Sequence, residues 1–509
     1  MRKFFKTVAL VTVFSISEKF LGFLYRIYLS RTIGAEGIGL YQVALSIFAL
    51  LLTLSCSGVP ITVSRLMTKY RAENREDKVQ KVISAGLLFT ILVVLPVMAV
   101  FFIFTDKFTF LFADKRCVNI FLVVLPGLIF TSIYSVLRGV FWGDKDFLPY
   151  SIIELLEEIC MIVVGIILIN SATEVYQGAF RAGVAVLCSY IFSFTVAFTV
   201  FFIRKHKFKN PKSEFKPLLS SAVPITAMRS ANSLTSSLVS IILPIRLVQV
   251  GLSSNMAMAS FGSLMGQALP LLYIPTTLIG SFILVLVPEI SENFYKKNYF
   301  YLKRDIEKSI KFTSLLTCVF TPIFLVCGKE IGVLVFSSHE CGTYLTFCAF
   351  LMFFMSLSSI TTSMLNSIGL ENKTLFYYII GGLLMLLCIW FLPKAFGIYS
   401  LVFGFFALYG LTTFLNLKLL NKNCVKKPKY KKFLSSSLLL VLPTALFGMI
   451  IKKLVLSFLG SFLTLIICSV LMAVFYLLLC VGFDLVSTEF ISRNFAYKLK
   501  RKKTKINKV

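Results

Sequence analysis

The stretch SISEKFLGFLYRIYLSRTIGAEGIGLYQVALSIFALLLTLSCSGVPITVSRLMTKY, residues 15–70, decides how the rest of the chain is read. An apolar run begins near Phe4 and should lie within a bilayer by Leu10, yet Glu18, Lys19 and Arg26 fall inside it. A charge at the centre of a transmembrane helix costs roughly 2.5–3.5 kcal/mol on insertion scales and persists where it faces a bundle interior or a water-filled cavity. Lys19, Gly22 and Arg26 are spaced i, i+3 and i+7 and share one face, which separates the two cations by roughly 10 Å along the axis. The pattern predicts a cationic stripe lining a cavity. The competing reading pairs Glu18 with a neighbouring helix while Lys19 and Arg26 reach toward the interface.

Composition sets the class. Of 509 residues, 57% are hydrophobic and 52 are Phe, and the mean hydropathy is +0.87. That is an all-α polytopic membrane protein. The net charge of +29 would suggest nucleic acid in a soluble domain. Here the basic residues gather in short connections, where they report orientation and contact with anionic lipid, so no nucleic-acid partner is expected. The opening MRK before an apolar run resembles a signal peptide. No small-residue cleavage site follows and Glu18-Lys19 interrupts its end, so the segment is expected to stay as a helix. Twelve Cys are scattered through apolar segments, His206 and His339 are the only histidines, and no metal-ligand spacing occurs. The cysteines read as small hydrophobes, with no metal or cofactor expected.

Fourteen apolar segments are long enough to cross ~30 Å of hydrocarbon as helices, near 6–30, 38–61, 82–104, 117–141, 149–169, 180–203, 217–245, 260–287, 309–327, 344–367, 374–392, 398–418, 434–451 and 459–483. With the N-terminus inside, 38 Lys and Arg fall in cytoplasmic segments and 10 in outer loops. This bias predicts that both termini are cytoplasmic, in a multi-pass protein of a plasma membrane. An internal repeat runs at an offset of 228: Gly34 with Gly262, Pro60 with Pro288, Asp77 with Asp305, Leu137 with Leu365, Lys145 with Lys373, and Tyr150 with Tyr378. An even number of spans separates equivalent points, so two parallel six-helix lobes are expected, with substrate between them near the midplane. The expected organisation is an N-terminal lobe at 1–203, a basic linker at 204–216, a C-terminal lobe at 217–420, two peripheral helices at 421–485 and a basic tail at 486–509.

The polar residues inside apolar segments carry the functional signal. Arg138 closes the fourth segment, in VLRGVFWGDKDFLP. Glu154, Glu157 and Glu158 lie on one side of the fifth, in SIIELLEEICMIVV. Arg229 and Asn232 lie in the seventh between Pro224 and Pro244, which permit a bend. Arginine offers phosphate a bidentate fork and lysine a compact charge, so Lys19, Arg26, Arg138 and Arg229 suit an anionic headgroup such as a lipid diphosphate. Asn232 and Glu157 complete the candidate cavity, and Glu18, Glu154 and Glu158 are candidate coupling or ion-pair residues. The alternative assigns Arg138 and Arg229 to packing against Glu157, Glu158 or a backbone carbonyl. Asp144-Lys145-Asp146 has the form of a metal–nucleotide-sugar motif, but it lies in a very short loop and reads better as an elbow. No P-loop occurs.

The runs KFLGFLYRIYLSRTIGAEGIGLYQVALS, SGVPITVSRL, LRGVFWGDKDFLP, SAVPITAMRSANSL, GLSSNMAMASFGSLMGQALPLLYIP and LVPEIS resemble the stage V sporulation protein B group of the multidrug/oligosaccharidyl-lipid/polysaccharide (MOP) exporter superfamily. The resemblance implies a fourteen-helix, two-lobed exporter fold and a flippase rather than an enzyme. Such a protein moves undecaprenyl-diphosphate-linked saccharide, such as lipid II or a related polysaccharide unit, by alternating access, and a monomer is expected. It also implies that Lys19, Arg26, Arg138, Glu157 and Arg229 occupy the group's charged positions. Met161 departs from that pattern, standing where the group tends to have a basic residue. The rivals are a cation-coupled multidrug antiporter on the same fold, which favours an acidic and apolar cavity, and a membrane-embedded glycosyltransferase, which needs larger extramembrane loops.

The charge bias yields a direct test of topology. Single cysteines placed in Arg65–Lys81, Arg204–Lys216 or Lys418–Lys432 of a cysteine-free background should resist impermeant maleimide added from outside intact cells. Robust labelling there overturns the orientation.

Overall fold

The computed structural model describes residues 2–424, 428, 430–456, 460–483 and 485, and the side chains among them except those of 2–9, 12, 228, 231, 232, 284, 285, 455, 456 and 461. The basic tail at 486–509 and part of the basic 418–432 segment lie outside the described residues. The described chain is helical, without strands. In order it forms α1 (Arg2–Cys56), α2 (Val59–Ala72), α3 (Glu76–Ile103), α4 (Thr105–Phe108), α5 (Lys115–Val124), α6 (Gly127–Gly143), α7 (Leu148–Ile169), α8 (Val175–Ile203), α9 (Lys212–Gln249) and α10 (Ser254–Phe261). A π-helical turn at Gly262–Ala268 leads into α11 (Leu269–Tyr295), α12 (Tyr299–Phe336), α13 (His339–Cys348), α14 (Leu351–Ser367), α15 (Glu371–Phe391), α16 (Pro393–Phe396), α17 (Tyr399–Asn423), α18 (Lys431–Leu439), α19 (Val441–Leu456) and α20 (Ser461–Gly482).

The described residues of the fourteen apolar segments are predominantly helical. By length and apolar composition, nine described helices qualify as membrane spans, or eleven when the bent pairs α5–α6 and α13–α14 each count once. The first two segments run together through α1, and α7 carries three glutamates, so neither appears as a separate span. This is a multi-pass membrane protein.

The chain divides into two compact units, Met1–Gln267 with Leu386–Leu401, and Ala268–Met385 with Val402–Val509. In the first, α8 turns a face of small residues inward: Gly178, Ala179, Ala182, Gly183, Ala185, Ser189, Ser193 and Ala197 are buried. Lipid tails are as apolar as leucine, so membrane helices associate through close packing, and small side chains let backbones approach. Gly39 of α1 and Gly262 do this between α1 and α10, where a Cβ on either would strike the carbonyl of Met258 or Ala35. In the second unit α12 buries a hydroxyl stripe, Ser309, Thr313, Ser314, Thr317 and Thr321. The C-terminal helices pack along it. Ser314 and Ser437 hydroxyls pair at 2.5 Å, Tyr476 donates to the Ser437 carbonyl at 3.1 Å, and Lys452 pairs with Glu330 at 2.7 Å. All twelve cysteines are free thiols.

The 55 residues of α1 contain one interruption, at Gly34, where φ is 66° and ψ −177°. This conformation is essentially closed to residues with a Cβ, so Gly34 is the joint between the arm bearing Lys19 and Arg26 and the arm leading to Ser57. Its repeat mate Gly262 has an ordinary helical φ of −62°, so the two glycines serve different ends. Gly34→Ala should cost about 1–3 kcal/mol and lower the thermal midpoint of the detergent-solubilised protein. Gly410→Ala, in an open position within α17, should leave the midpoint unchanged or raise it. Equal midpoints for the two variants would remove the joint.

Candidate functional site

The carboxylates of α7 face protein because its other side is claimed by apolar residues. Ile152, Leu156, Ile159, Val163 and Ile167 form an exposed stripe at spacings of four, three, four and four, the lipid-facing pattern of a helix. Glu154, Glu157 and Glu158 are only partly exposed, on the opposite side. Glu154 accepts from Arg138 Nη1 at 2.8 Å. The Arg138 guanidinium also lies 5.2 Å from the centroid of the Trp142 ring, one helical turn on, a cation–π arrangement. Arg138 owes its place to Gly139, where a Cβ would collide with the backbone of Pro60, so α6 lies directly against α2.

Arg229 is carried by α9, which runs unbroken past Pro217, Pro224 and Pro244. The helix is docked on the break between α1 and α2: Arg229 Nη1 donates to the Ser57 carbonyl at 3.0 Å, and Gly58 N–H donates to Thr226 Oγ1 at 3.0 Å. A cation at the carbonyl end of α1 is favourably placed. Of the alternatives for these two arginines, the structure realises a carboxylate for Arg138, but Glu154 rather than Glu157 or Glu158, and a backbone carbonyl for Arg229. Arg138 and Arg229 also line one cavity of about 380 Å³, with Cys56, Ser57, Ser135 and Ser233 among its walls.

Among the described side chains, the other predicted residues are not in the wall of this cavity. Arg26 Nη1 reaches the Gly266 carbonyl of the π-helical turn at 3.4 Å, beside Gln267, whose amide donates to Ser30 Oγ at 2.7 Å. Glu158 lies in the field of Arg26 and Glu18, and Glu18 in that of Glu154, Lys19 and Arg138. Lys19 is exposed. Asn232 lies on α9 with its side chain outside the described residues. The charged groups thus form one chain of electrostatic neighbours from Arg26 to Arg138. Glu154 belongs to it, so four carboxylates, Glu18, Glu154, Glu157 and Glu158, stand beside the four cations.

The Asp144–Asp146 elbow is a clasp. Asp144 pairs with Arg71 at 2.6 Å and with His206 Nε2 at 3.0 Å, and Asp146 with Arg204 at 2.5 Å. The basic segment after α8 continues along α3, where Lys207 N–H donates to Gln80 Oε1, Lys209 N–H to Ser84 Oγ, and Lys209 Nζ pairs with Asp77 at 2.7 Å. Both carboxylates of the motif are therefore held by basic side chains.

A family model described as polysaccharide biosynthesis protein matches residues 4–294, over half of the chain. The chain belongs to that family. Within it, the chain is 27% identical over 404 residues to Stage V sporulation protein B of Bacillus subtilis (strain 168), covering 75% of this chain and 76% of the relative. It is 23% identical over 364 residues to the Lipid II flippase MurJ of the same organism, covering 65% and 64%. Among solved structures it resembles a Lipid II flippase MurJ in an inward closed conformation, with TM-score 0.73 and 15% identity over 92% of this chain and 98% of that one. It also resembles an inward-facing multidrug resistance MATE family transporter of the MOP superfamily, with TM-score 0.67 and 14% identity over 78% and 92%. The fold is that of the MOP superfamily.

For this family member the sequence pointed to the charges of the cavity but not to its hydroxyls. Ser57, Ser135 and Ser233 carry no signal within apolar segments. Trp142 did carry one, since it lies four residues after Arg138 and shares its face.

The clasp has a defined pH response. Burial pushes the Asp144 carboxyl up, but hydrogen bonds and charge from His206 and Arg71 outweigh it and hold the carboxyl below its usual value. A carboxyl lowered by folding stabilises above its ordinary value, near pH 4, and loses that contribution as pH falls through the lower folded value. Thermal midpoints in detergent should therefore fall more steeply for the unaltered protein than for Asp144→Asn as pH drops below about 4. Parallel pH profiles would show that Asp144 carries no such linkage.

Proposed function

We propose that the protein is a MOP-superfamily flippase that carries a polyprenyl-diphosphate-linked saccharide, lipid II or a related polysaccharide unit, across the bacterial cytoplasmic membrane by alternating access. Both termini are cytoplasmic, fourteen helices span the membrane, and residues 1–203 and 217–420 are repeated lobes joined at 204–216. The single observation that carries this reading is the cavity of the first unit, whose wall includes both Arg138 and Arg229 among serine hydroxyls. A sugar diphosphate cannot cross hydrocarbon unaided, because its charges and hydroxyls would lose water. Guanidinium forks and hydroxyls replace that water while the polyprenyl tail stays in lipid. Lys19, Arg26 and Asn232 extend the anion path, and Glu18, Glu157 and Glu158 keep those cations soluble in the bundle between substrates. The names of the relatives support the same reading. A cation-coupled drug antiporter is the rival, favoured by the likeness to a MATE transporter, but two arginines in the cavity wall suit an anion better than a cationic drug.

The test is leaflet accessibility of labelled lipid II and other polyprenyl-diphosphate saccharides in proteoliposomes. Arg229→Ala should reduce flipping by at least tenfold, the scale of a lost charge-assisted hydrogen bond. Arg229→Lys should recover part of the rate, because it restores charge without the fork. Normal flipping by Arg229→Ala, with the protein inserted and folded, overturns the cavity as the headgroup route.

A further inference from the structure

The two arginines of the cavity are not equivalent. Arg138 is compensated by Glu154 at 2.8 Å and pinned against Trp142. Arg229 has no carboxylate partner among the described residues and rests on the Ser57 carbonyl. Arg138 Nε and Ser57 Oγ are buried donors with no protein partner among the described residues, and both residues line the cavity. Buried polar groups are nearly always hydrogen-bonded, and a pair of orphan donors on one cavity wall calls for an acceptor. The site thus offers one uncompensated cation, a second cation held by an internal anion, and hydroxyls around them.

We propose that Glu154 is an internal counter-anion that makes the Arg138–Arg229 cavity selective for a diphosphate over a monophosphate. This deepens, and rests on, the reading of the cavity as the headgroup route. An anion entering the cavity meets Arg229 first, because that guanidinium is free of carboxylate. A single phosphate satisfies Arg229 and is repelled by Glu154, which keeps Arg138 engaged. A diphosphate carries a second anionic group to the same cavity. That group competes with Glu154 for Arg138 and takes the fork geometry that guanidinium offers phosphate. Glu154 therefore sets a charge threshold: ligands with one anionic group lose to it, and ligands with two displace it. Specificity of this kind is a difference of affinities produced by a repulsive element within the site. Trp142 holds the guanidinium plane in place during the exchange, so Arg138 changes partner without leaving the wall.

The experiment uses the purified full-length protein in detergent. Affinity is measured by calorimetry for inorganic phosphate, inorganic pyrophosphate, and a short-chain polyprenyl monophosphate and diphosphate. The unaltered protein should prefer diphosphate to monophosphate by at least tenfold. Glu154→Gln should tighten monophosphate binding more than diphosphate binding and collapse that ratio to within about threefold, whereas Glu154→Asp, which keeps the charge, should retain it. Arg138→Lys should weaken diphosphate binding about tenfold, and Lys296→Ala, an exposed partner of Glu292, should change nothing. If Glu154→Gln fails to fold, Glu154→Ser, which also removes the charge, decides the matter: it should collapse the ratio in the same way, and an unchanged ratio overturns the proposal. An unchanged ratio in Glu154→Gln, or a loss of both ligands as large as that in Arg138→Lys, overturns the counter-anion role. Preference shown by the polyprenyl pair alone assigns the site to a lipid headgroup, and the same preference in the inorganic pair assigns it to the diphosphate whatever its tail. Selectivity that behaves as stated in a protein that does not flip lipid overturns the translocation reading alone. Normal flipping with no selectivity overturns this proposal alone.

Discussion

The arrangement of the first unit depends on one constraint: a charge placed among apolar helices needs a partner. Unit charges 4 Å apart attract by about 1 kcal/mol in water and about 4 kcal/mol at an effective dielectric of 20. Removing them from water costs several kcal/mol per ion. Arg138 meets the constraint through Glu154 and the face of Trp142. Arg229 meets it through the carbonyl end of α1. These solutions fix where α6, α7 and α9 lie against α1 and α2, so that the electrostatics of the site and the packing of the unit are one problem.

Backbone proximity makes those solutions reachable. Gly139 brings α6 onto Pro60, Gly58 brings α9 onto the break between α1 and α2, and Gly39 with Gly262 closes α1 on α10. In each case a Cβ would hold the helices apart. Gly34 acts differently, through a φ that other residues avoid, and it redirects α1 between the arm that carries Arg26 and the arm that leads into Ser57. On α8 and α12 small or hydroxyl-bearing side chains face inward, which suits close packing in a lipid solvent.

On the proposed reading, the physical problem such a unit solves is the passage of a hydrated anion through a medium that offers it nothing. A cavity with only free cations would hold any anion tightly and release it slowly. Carboxylates beside the cations lower that affinity and keep the empty site stable. On the same reading they let the site distinguish anions by charge. Binding energy is thereby spent on discrimination rather than on retention, as a carrier that must release its cargo requires.

The sequence by itself determined the membrane class, the helices and the identity of the charged residues, because hydropathy and an ion in a hydrophobic run are local properties of the chain. It also marked Asp144-Lys145-Asp146 as an elbow, from loop length alone. What it could not determine is which charge answers which. Glu154, Glu157 and Glu158 occupy one helix within five residues, and only the tertiary fold chose Glu154 for Arg138. Likewise, Lys19 and Arg26 share a face with Gly22, yet the cavity wall is built by Arg138 and Arg229, which lie 91 positions apart in the chain. The serines of that wall were invisible, since a hydroxyl in an apolar helix usually satisfies itself on its own backbone. Partner choice and cavity membership depend on distances between helices remote in sequence, and those distances are set by packing of whole surfaces rather than by any local pattern.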